Sequence, residues 1–242
     1  MIRKAILAAL AVSLSWAANA ASERPFNVSV HGNFKQMVHA GDTSGKVALE
    51  PPVRAAGTYG VGALAGLRGE ILIWDGSVLV TLGESFPGST QPPRVDDQAT
   101  LLVTARVKEW EERQVANDLM QQEFERFVIH SARSIGIDPN KPFPFIVIGE
   151  VTNYTWHVVS GTSTHPGGGA QHPQGHASSR TFSGAKTEGK LVGFFSAEEL
   201  EGVLSHPGER FHFHYADNDI KTSGHLDSFG VAKGARLLLP KR

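Results

Sequence analysis

Gly208-Glu209-Arg210-Phe211-His212-Phe213-His214-Tyr215-Ala216-Asp217-Asn218-Asp219-Ile220-Lys221-Thr222-Ser223-Gly224-His225-Leu226-Asp227-Ser228-Phe229 is the stretch on which the reading of this chain turns. Residues 211–215 alternate aromatic rings with imidazoles. In a β-strand successive side chains point to opposite faces. Phe211, Phe213 and Tyr215 therefore face a core, and His212 and His214 project together from the other side. Asn218 to Gly224 has turn composition and returns a second strand that carries His225. Three imidazoles with an open fourth position describe a catalytic zinc site, whereas closed structural sites favour four ligands and cysteine. The competing reading is two exposed histidines and one buried one. The chain has no cysteine, so any metal site it builds must use His, Asp or Glu, and no disulfide supports the fold.

Outward from this stretch, Lys190 to Phe195 reads as a strand. Ser196 followed by Glu199 has the spacing of a capping box, which predicts a short helix over 196–201. Residues 160–181 are rich in Gly, Ser, Thr and Pro and contain His165, His172 and His176. Their composition predicts a mobile surface loop, or else a metal-capturing one. Phe145–Gly149 and Tyr154–Val159 read as two strands. Between residues 109 and 135, Ala116, Leu119, Met120, Phe124, Phe127, Val128, Ala132 and Ile135 recur at spacings of three and four. That stripe predicts one long helix, stopped at Gly136, with Glu109, Glu111, Glu112 and Arg113 on its solvated start. Ala99–Val107 reads as a strand. Glu70–Trp74 and Ser77–Thr81, separated by Asp75-Gly76, read as a hairpin. Residues 26–39 read as a first strand entering a short turn, and Ala235–Pro240 as a last strand.

Residues 1–20 have the form of a cleaved signal peptide: Arg3 and Lys4, an apolar run, then Ala18-Asn19-Ala20. The expectation is an exported protein, periplasmic or secreted, with no membrane span after cleavage. The formal net charge is −1, and losing Arg3 and Lys4 makes the mature chain more acidic. A nucleic-acid partner normally demands a basic footprint, so that class is disfavoured.

Three motifs, in order and spacing, resemble the alpha-acetolactate decarboxylase family. The first is Gly224-His225-Leu226-Asp227 behind the paired histidines. The second is Gly57-Thr58-Tyr59-Gly60-Val61-Gly62-Ala63-Leu64-Ala65-Gly66-Leu67-Arg68-Gly69-Glu70-Ile71, and the third is Gly189-Lys190-Leu191-Val192-Gly193-Phe194. The resemblance covers roughly residues 28–230. It implies an α/β (α+β-like) fold of two β-rich subdomains of mixed sheets with one long helix. The boundaries expected are 1–20 for the signal peptide, 21–140 for an N-terminal α/β subdomain, and 141–242 for a C-terminal metal-binding subdomain. It implies zinc, or another divalent transition metal, on His212, His214 and His225, and decarboxylation of 2-acetolactate to acetoin. A related small oxo-acid is the other substrate class, and a homodimer is compatible with the family.

Glu70 becomes the candidate for the proton relay, and no organic cofactor is signalled. The family has Thr where this chain has Ala63. The simplest register puts His157 where the family has an Arg that meets the substrate, and a family Glu in a longer C-terminal tail has no counterpart before Arg242. The metal site thus transfers more fully than the activity. The other function class is a non-catalytic metal- or ligand-binding protein that keeps the same fold.

Overall fold

The computed structural model describes residues 26–49, 53–162 and 177–241. Residues 1–20, read above as a signal peptide, and the tract with His165, His172 and His176 lie outside the described residues. The described residues are mostly β-sheet, in two sheets, and one helix among them exceeds six residues. No described helix is long and apolar enough to cross a membrane.

The first sheet is built from β1 (Val28–His31), β2 (Val47–Ala48), β3 (Thr58–Leu64), β4 (Gly69–Trp74), β5 (Ser77–Leu82), β6 (Thr90–Gln91) and β7 (Gln98–Arg106). Its order is β1-β7-β3-β4-β5-β6, with β2 on the far end of β7. The β4–β5 hairpin turns at Asp75 (φ 48°) and Gly76 (φ 77°), the double left-handed geometry that matches strand twist. Behind β1 the chain enters a short helix, α1 (Phe34–His39), where the sequence pattern suggested a turn. Asn33 caps it by accepting the Gln36 N–H.

The second sheet comprises β8 (Trp110–Gln114), β9 (Leu119–Met120), β10 (Phe143–Thr162), β11 (Ala177–Phe195), β12 (Phe211–Asp217), β13 (Ser223–Val231) and β14 (Arg236–Pro240). The order is β8-β14-β10-β11-β12-β13-β9, and β13 also pairs back onto β10. That extra pairing curls the middle of the sheet towards closure. All pairings among the described residues are antiparallel, a narrower result than the mixed sheets expected.

Helix α2 (Gln121–Ser134) covers one face of this sheet. Phe124, Val128 and Ala132 are fully buried at spacings of four, against Phe145, Phe213 and Phe229. Burying each such ring contributes about 2–3 kcal/mol. The opposite face meets the first sheet, where Val61, Leu72 and Val103 pack on Val192, Phe194 and Ala216.

Three readings of local structure are corrected. The stripe from 109 to 135 is helical only from Gln121. Its first part is the edge strand β8, paired with β14, and Glu112 and Glu109 bond Arg236 and Lys241 across the ladder. Glu111 and Arg113 pair at 2.6 Å, as residues two apart do on one face of a strand. Residues 196–201 are turns: the Ser196 hydroxyl donates to the Ala197 carbonyl instead of capping, and Ala197 has φ 52°. The two strands read at 145–159 are one, β10, whose far end pairs with β11 through Thr162↔Ala177. The ends of the expected 160–181 loop are therefore strand.

Candidate metal centre

Strand alternation sorts β12 as its sequence requires. Phe211 and Phe213 stack at 5.5 Å in the aromatic core, while His212 and His214 turn to the first sheet. The β12–β13 ladder holds at His214↔His225, Tyr215↔Gly224 and Ala216↔Ser223, and goes no further. His212, two residues beyond that last rung, has no partner on β13. The three imidazoles converge where the two strands part. Ring centroids lie 5.2 Å apart for His212–His214, 5.0 Å for His212–His225 and 5.5 Å for His214–His225. One nitrogen from each lies within 4.8 Å of the others. A cleft of about 1080 Å³ between α2 and the parted strands reaches His225 and Asp227.

The donors suit a divalent transition metal. Burial drives the pKa of His212 down to about 4, against the pull of the Leu204 carbonyl. Burial and the neighbouring imidazoles put His214 and His225 well below the usual histidine range. All three are neutral at neutral pH, which is the ligand form. His212 Nδ1–H donates to the Leu204 carbonyl at 2.6 Å, and this fixes its tautomer with the Nε2 lone pair free. The Ile71 carbonyl lies on the side of His214 that favours its protonation, yet neither ring nitrogen of His214 has a hydrogen-bond partner of acceptable geometry. A fully buried imidazole with two orphaned nitrogens is costly unless something binds it. His212, His214 and His225 are the residues that would hold the ion.

Glu70 reaches this group from β4 in the first sheet. It is 3% exposed, its Oε2 stands 3.7 Å from His214 Nε2, and its Oε1 accepts the Val159 N–H at 3.2 Å. Burial pushes its pKa up to about 7, opposed by the charge of His157. Inter-sheet alignment is held nearby by the buried Thr81–Ser223 hydroxyl pair at 2.9 Å. Thr81 is the β5 partner of Glu70, and Ser223 lies two residues before His225.

His157 sits opposite His225 on the β10–β13 ladder, with ring centroids 5.0 Å apart. Gly224 permits this approach, since a Cβ there would meet the His157 carbonyl at 2.4 Å. The β10 register passes over Asp227, between Leu226 and Ser228. Such a bulge re-aims its side chain. Asp227 Oδ1 accepts the His157 Nδ1–H at 2.7 Å. Burial lowers the His157 pKa, but the Asp227 bond and the charges of Glu70 and Asp227 outweigh it, and the net shift is upward.

The structure brings together all five residues singled out from sequence: Glu70, His157, His212, His214 and His225. Two neighbours were missed. Asp227 lies in the quoted stretch, but a bulge rather than strand alternation aims its side chain at His157, and no periodicity signals a bulge. His206, whose ring is 5.8 Å from that of His225, lies in an irregular connection that no periodicity places.

Solved structures share this architecture. An alpha-acetolactate decarboxylase from Bacillus subtilis strain 168 superposes with a TM-score of 0.68 at 15% identity, over 89% of this chain and 86% of that one. The acetolactate decarboxylase of Bacillus subtilis subspecies spizizenii gives 0.67 at 16%, over 89% and 86%. A Staphylococcus aureus protein of unknown function, described as similar to alpha-acetolactate decarboxylase, gives 0.65 at 17%, over 87% and 84%. No curated protein matches the chain. The family model for alpha-acetolactate decarboxylase matches residues 26–238, nearly the whole chain, and the chain belongs to that family.

Proposed function

We propose that this chain is a zinc-dependent decarboxylase, exported after loss of residues 1–20, that converts 2-acetolactate, or a closely related small oxo-acid, to its decarboxylated hydroxyketone and CO2. The observation that carries the reading is the orphaned His214, set in a converged group of three neutral imidazoles beside a buried acid. His212, His214 and His225 would hold the zinc. When bound, the metal supplies Lewis-acid stabilisation for negative charge developing next to the breaking carbon–carbon bond.

The remaining work falls to side chains of this chain. Loss of CO2 breaks the bond to the carboxylate and leaves its electron pair on the substrate as an enediolate, which must take up one proton. Burial raises the pKa of Glu70 to about 7 in the metal-free chain, and its carboxyl beside His214 is placed for that transfer. Its Oε1 contact with the Val159 N–H fixes the carboxyl in one orientation. Asp227 fixes His157 with Nδ1 occupied, which leaves Nε2 as the atom available to a ligand. The dry setting of Glu70 and His214 keeps water from competing for that proton.

The test is metal content and product formation on one preparation of protein purified without an affinity tag. The expected result is one zinc per chain and acetoin formed from racemic acetolactate, followed by chromatography. A His212→Ala/His214→Ala double variant that still holds full zinc would refute the ligand assignment. Zinc-loaded wild type that forms no acetoin would favour the non-catalytic binding reading.

A further inference from the structure

We propose that His206 is a substrate-binding residue of this site and takes the carboxylate of the oxo-acid. The inference rests on the decarboxylase reading above, and it assigns a group that neither the motifs nor that reading uses.

His206 lies on the connection between β11 and β12, and its ring faces the third ligand, 5.8 Å from His225 at 71°. The placement is rigid. Phe34 packs on the ring at 4.0 Å and also meets His212 edge-on at 6.1 Å. The connection itself is pinned to α1 by Phe34 N–H to the Val203 carbonyl and Lys35 N–H to the Gly202 carbonyl, at 2.8 and 2.9 Å. The His206 carbonyl accepts the Glu209 N–H at 3.0 Å, and the Ser205 hydroxyl donates to the Glu209 carbonyl at 2.6 Å. The backbone around position 206 is thus tied on both sides.

One polar atom of each neighbouring side chain is already engaged, and His157 keeps its Nε2 open. His212 Nδ1 is held by Leu204, His157 Nδ1 by Asp227, and Glu70 Oε1 by Val159. No described residue hydrogen-bonds either ring nitrogen of His206, although the ring is half-buried and held in place. An oriented donor with no protein acceptor, next to three converged ligands, is where an anionic group of the substrate finds a partner. An imidazole N–H also suits the chemistry. The carboxylate loses its charge as it leaves as CO2, so a contact that positions it without gripping it strongly serves the transition state better.

The experiment is titration calorimetry on zinc-loaded protein with two probes. One is 2,3-dihydroxy-2-methylbutanoate, which keeps the carboxylate and cannot lose CO2 by this route. The other is 2-methylbutane-2,3-diol, which lacks the carboxylate. In His206→Ala the acid should bind about tenfold more weakly, the size of one hydrogen bond to a charged group, while the diol is unaffected. His206→Gln, which keeps an N–H donor, should recover most of the loss, and both variants should retain full zinc. In steady-state assays the same change should appear in KM, with kcat within about threefold of wild type. Equal weakening of both probes, or no weakening of either, overturns the proposal. Loss of zinc in both variants overturns it too, by making His206 a ligand. If wild type binds neither probe, the decarboxylase reading itself fails. If wild type binds the acid and His206→Ala binds it equally well, only the present inference falls.

Discussion

The two walls of the candidate metal centre are built in opposite ways. The inner wall, His212, His214 and Glu70, is dry: exposures are 3%, 0% and 3%, and its bonds run to main-chain groups or to nothing. The outer wall, His157, Asp227 and His206, borders solvent and makes side-chain pairs. Burial lowers the pKa of the inner imidazoles and of His206 and raises that of Glu70, whereas the carboxylate of Asp227 overrides burial and lifts His157. Desolvation therefore suits the inner wall to hold a metal and a proton, and paired charge suits His157 on the outer wall to meet an anion.

The strongest way to break this contrast is at the inner wall. His214→Ala should lose stoichiometric zinc and lower kcat/KM by more than about a thousandfold, since a Lewis acid supplies several kcal/mol. A variant that keeps both would mean that the orphaned nitrogens serve something else. The same wall predicts acid lability in protein stripped by a chelator. The native state keeps His212 neutral down to about pH 4, while the unfolded chain takes up that proton near the ordinary pKa of 6.5. The unfolded state thus binds more protons between those values. Stability is fully present above pH 6.5 and declines as pH falls towards 4, by about 3 kcal/mol from His212 alone. Urea melts at pH 5 and 7 read this directly, and equal midpoints would contradict it.

Glu70→Gln divides function from stability within the inner wall. Zinc content should be unchanged and kcat should fall about a hundredfold, through loss of the titrating proton. In metal-free protein at pH 8 the variant should be the more stable one. A carboxyl whose pKa rises to about 7 on folding contributes stability fully below its unfolded value, and loses it as pH rises through 7. Glutamine is free of that penalty. A less stable variant at pH 8 would show that the Val159 bond outweighs burial.

The same division between dry and wet decides what the sequence could reveal. Alternation in 211–215 fixed the faces of β12 because both faces are buried against different partners, aromatic core on one side and first sheet on the other. The Asp75-Gly76 turn is equally local. Residues 109–120 misled because a stripe that begins at Ala116 was extended back to Glu109, whereas β14 offers residues 110–114 an edge that only a strand can pair with, and Leu119 and Met120 pair with β13. Tertiary partnership overrode local pattern there. Glu70 is legible only through its motif, since nothing near it in sequence says that it will face His214 from another sheet. Asp227 depends on a bulge, and His206 on an irregular connection pinned by α1, and neither leaves a period in the chain.

The gentlest test falls on the outer wall and asks whether its charge or its shape matters. The sequence register sets His157 against the family's Arg, and the Asp227 carboxylate at 2.7 Å already holds its imidazole above the ordinary histidine pKa. The imidazole is therefore cationic at mildly acidic pH and loses its charge as pH rises through that raised value. If the charge assists the reaction, activity should decline on the alkaline side. His157→Arg, which keeps a donor for Asp227 and never deprotonates, should match wild type at pH 6 and exceed it about threefold to tenfold at pH 8. Asp227→Asn removes the carboxylate that lifts the pKa, so its alkaline decline should begin at lower pH than in wild type. Acetoin formation across pH 5 to 8 for the three proteins, with zinc content checked at each end, makes the comparison. Identical profiles would mean that His157 serves the outer wall through its shape and its contact with His225, and the charged role would pass from it.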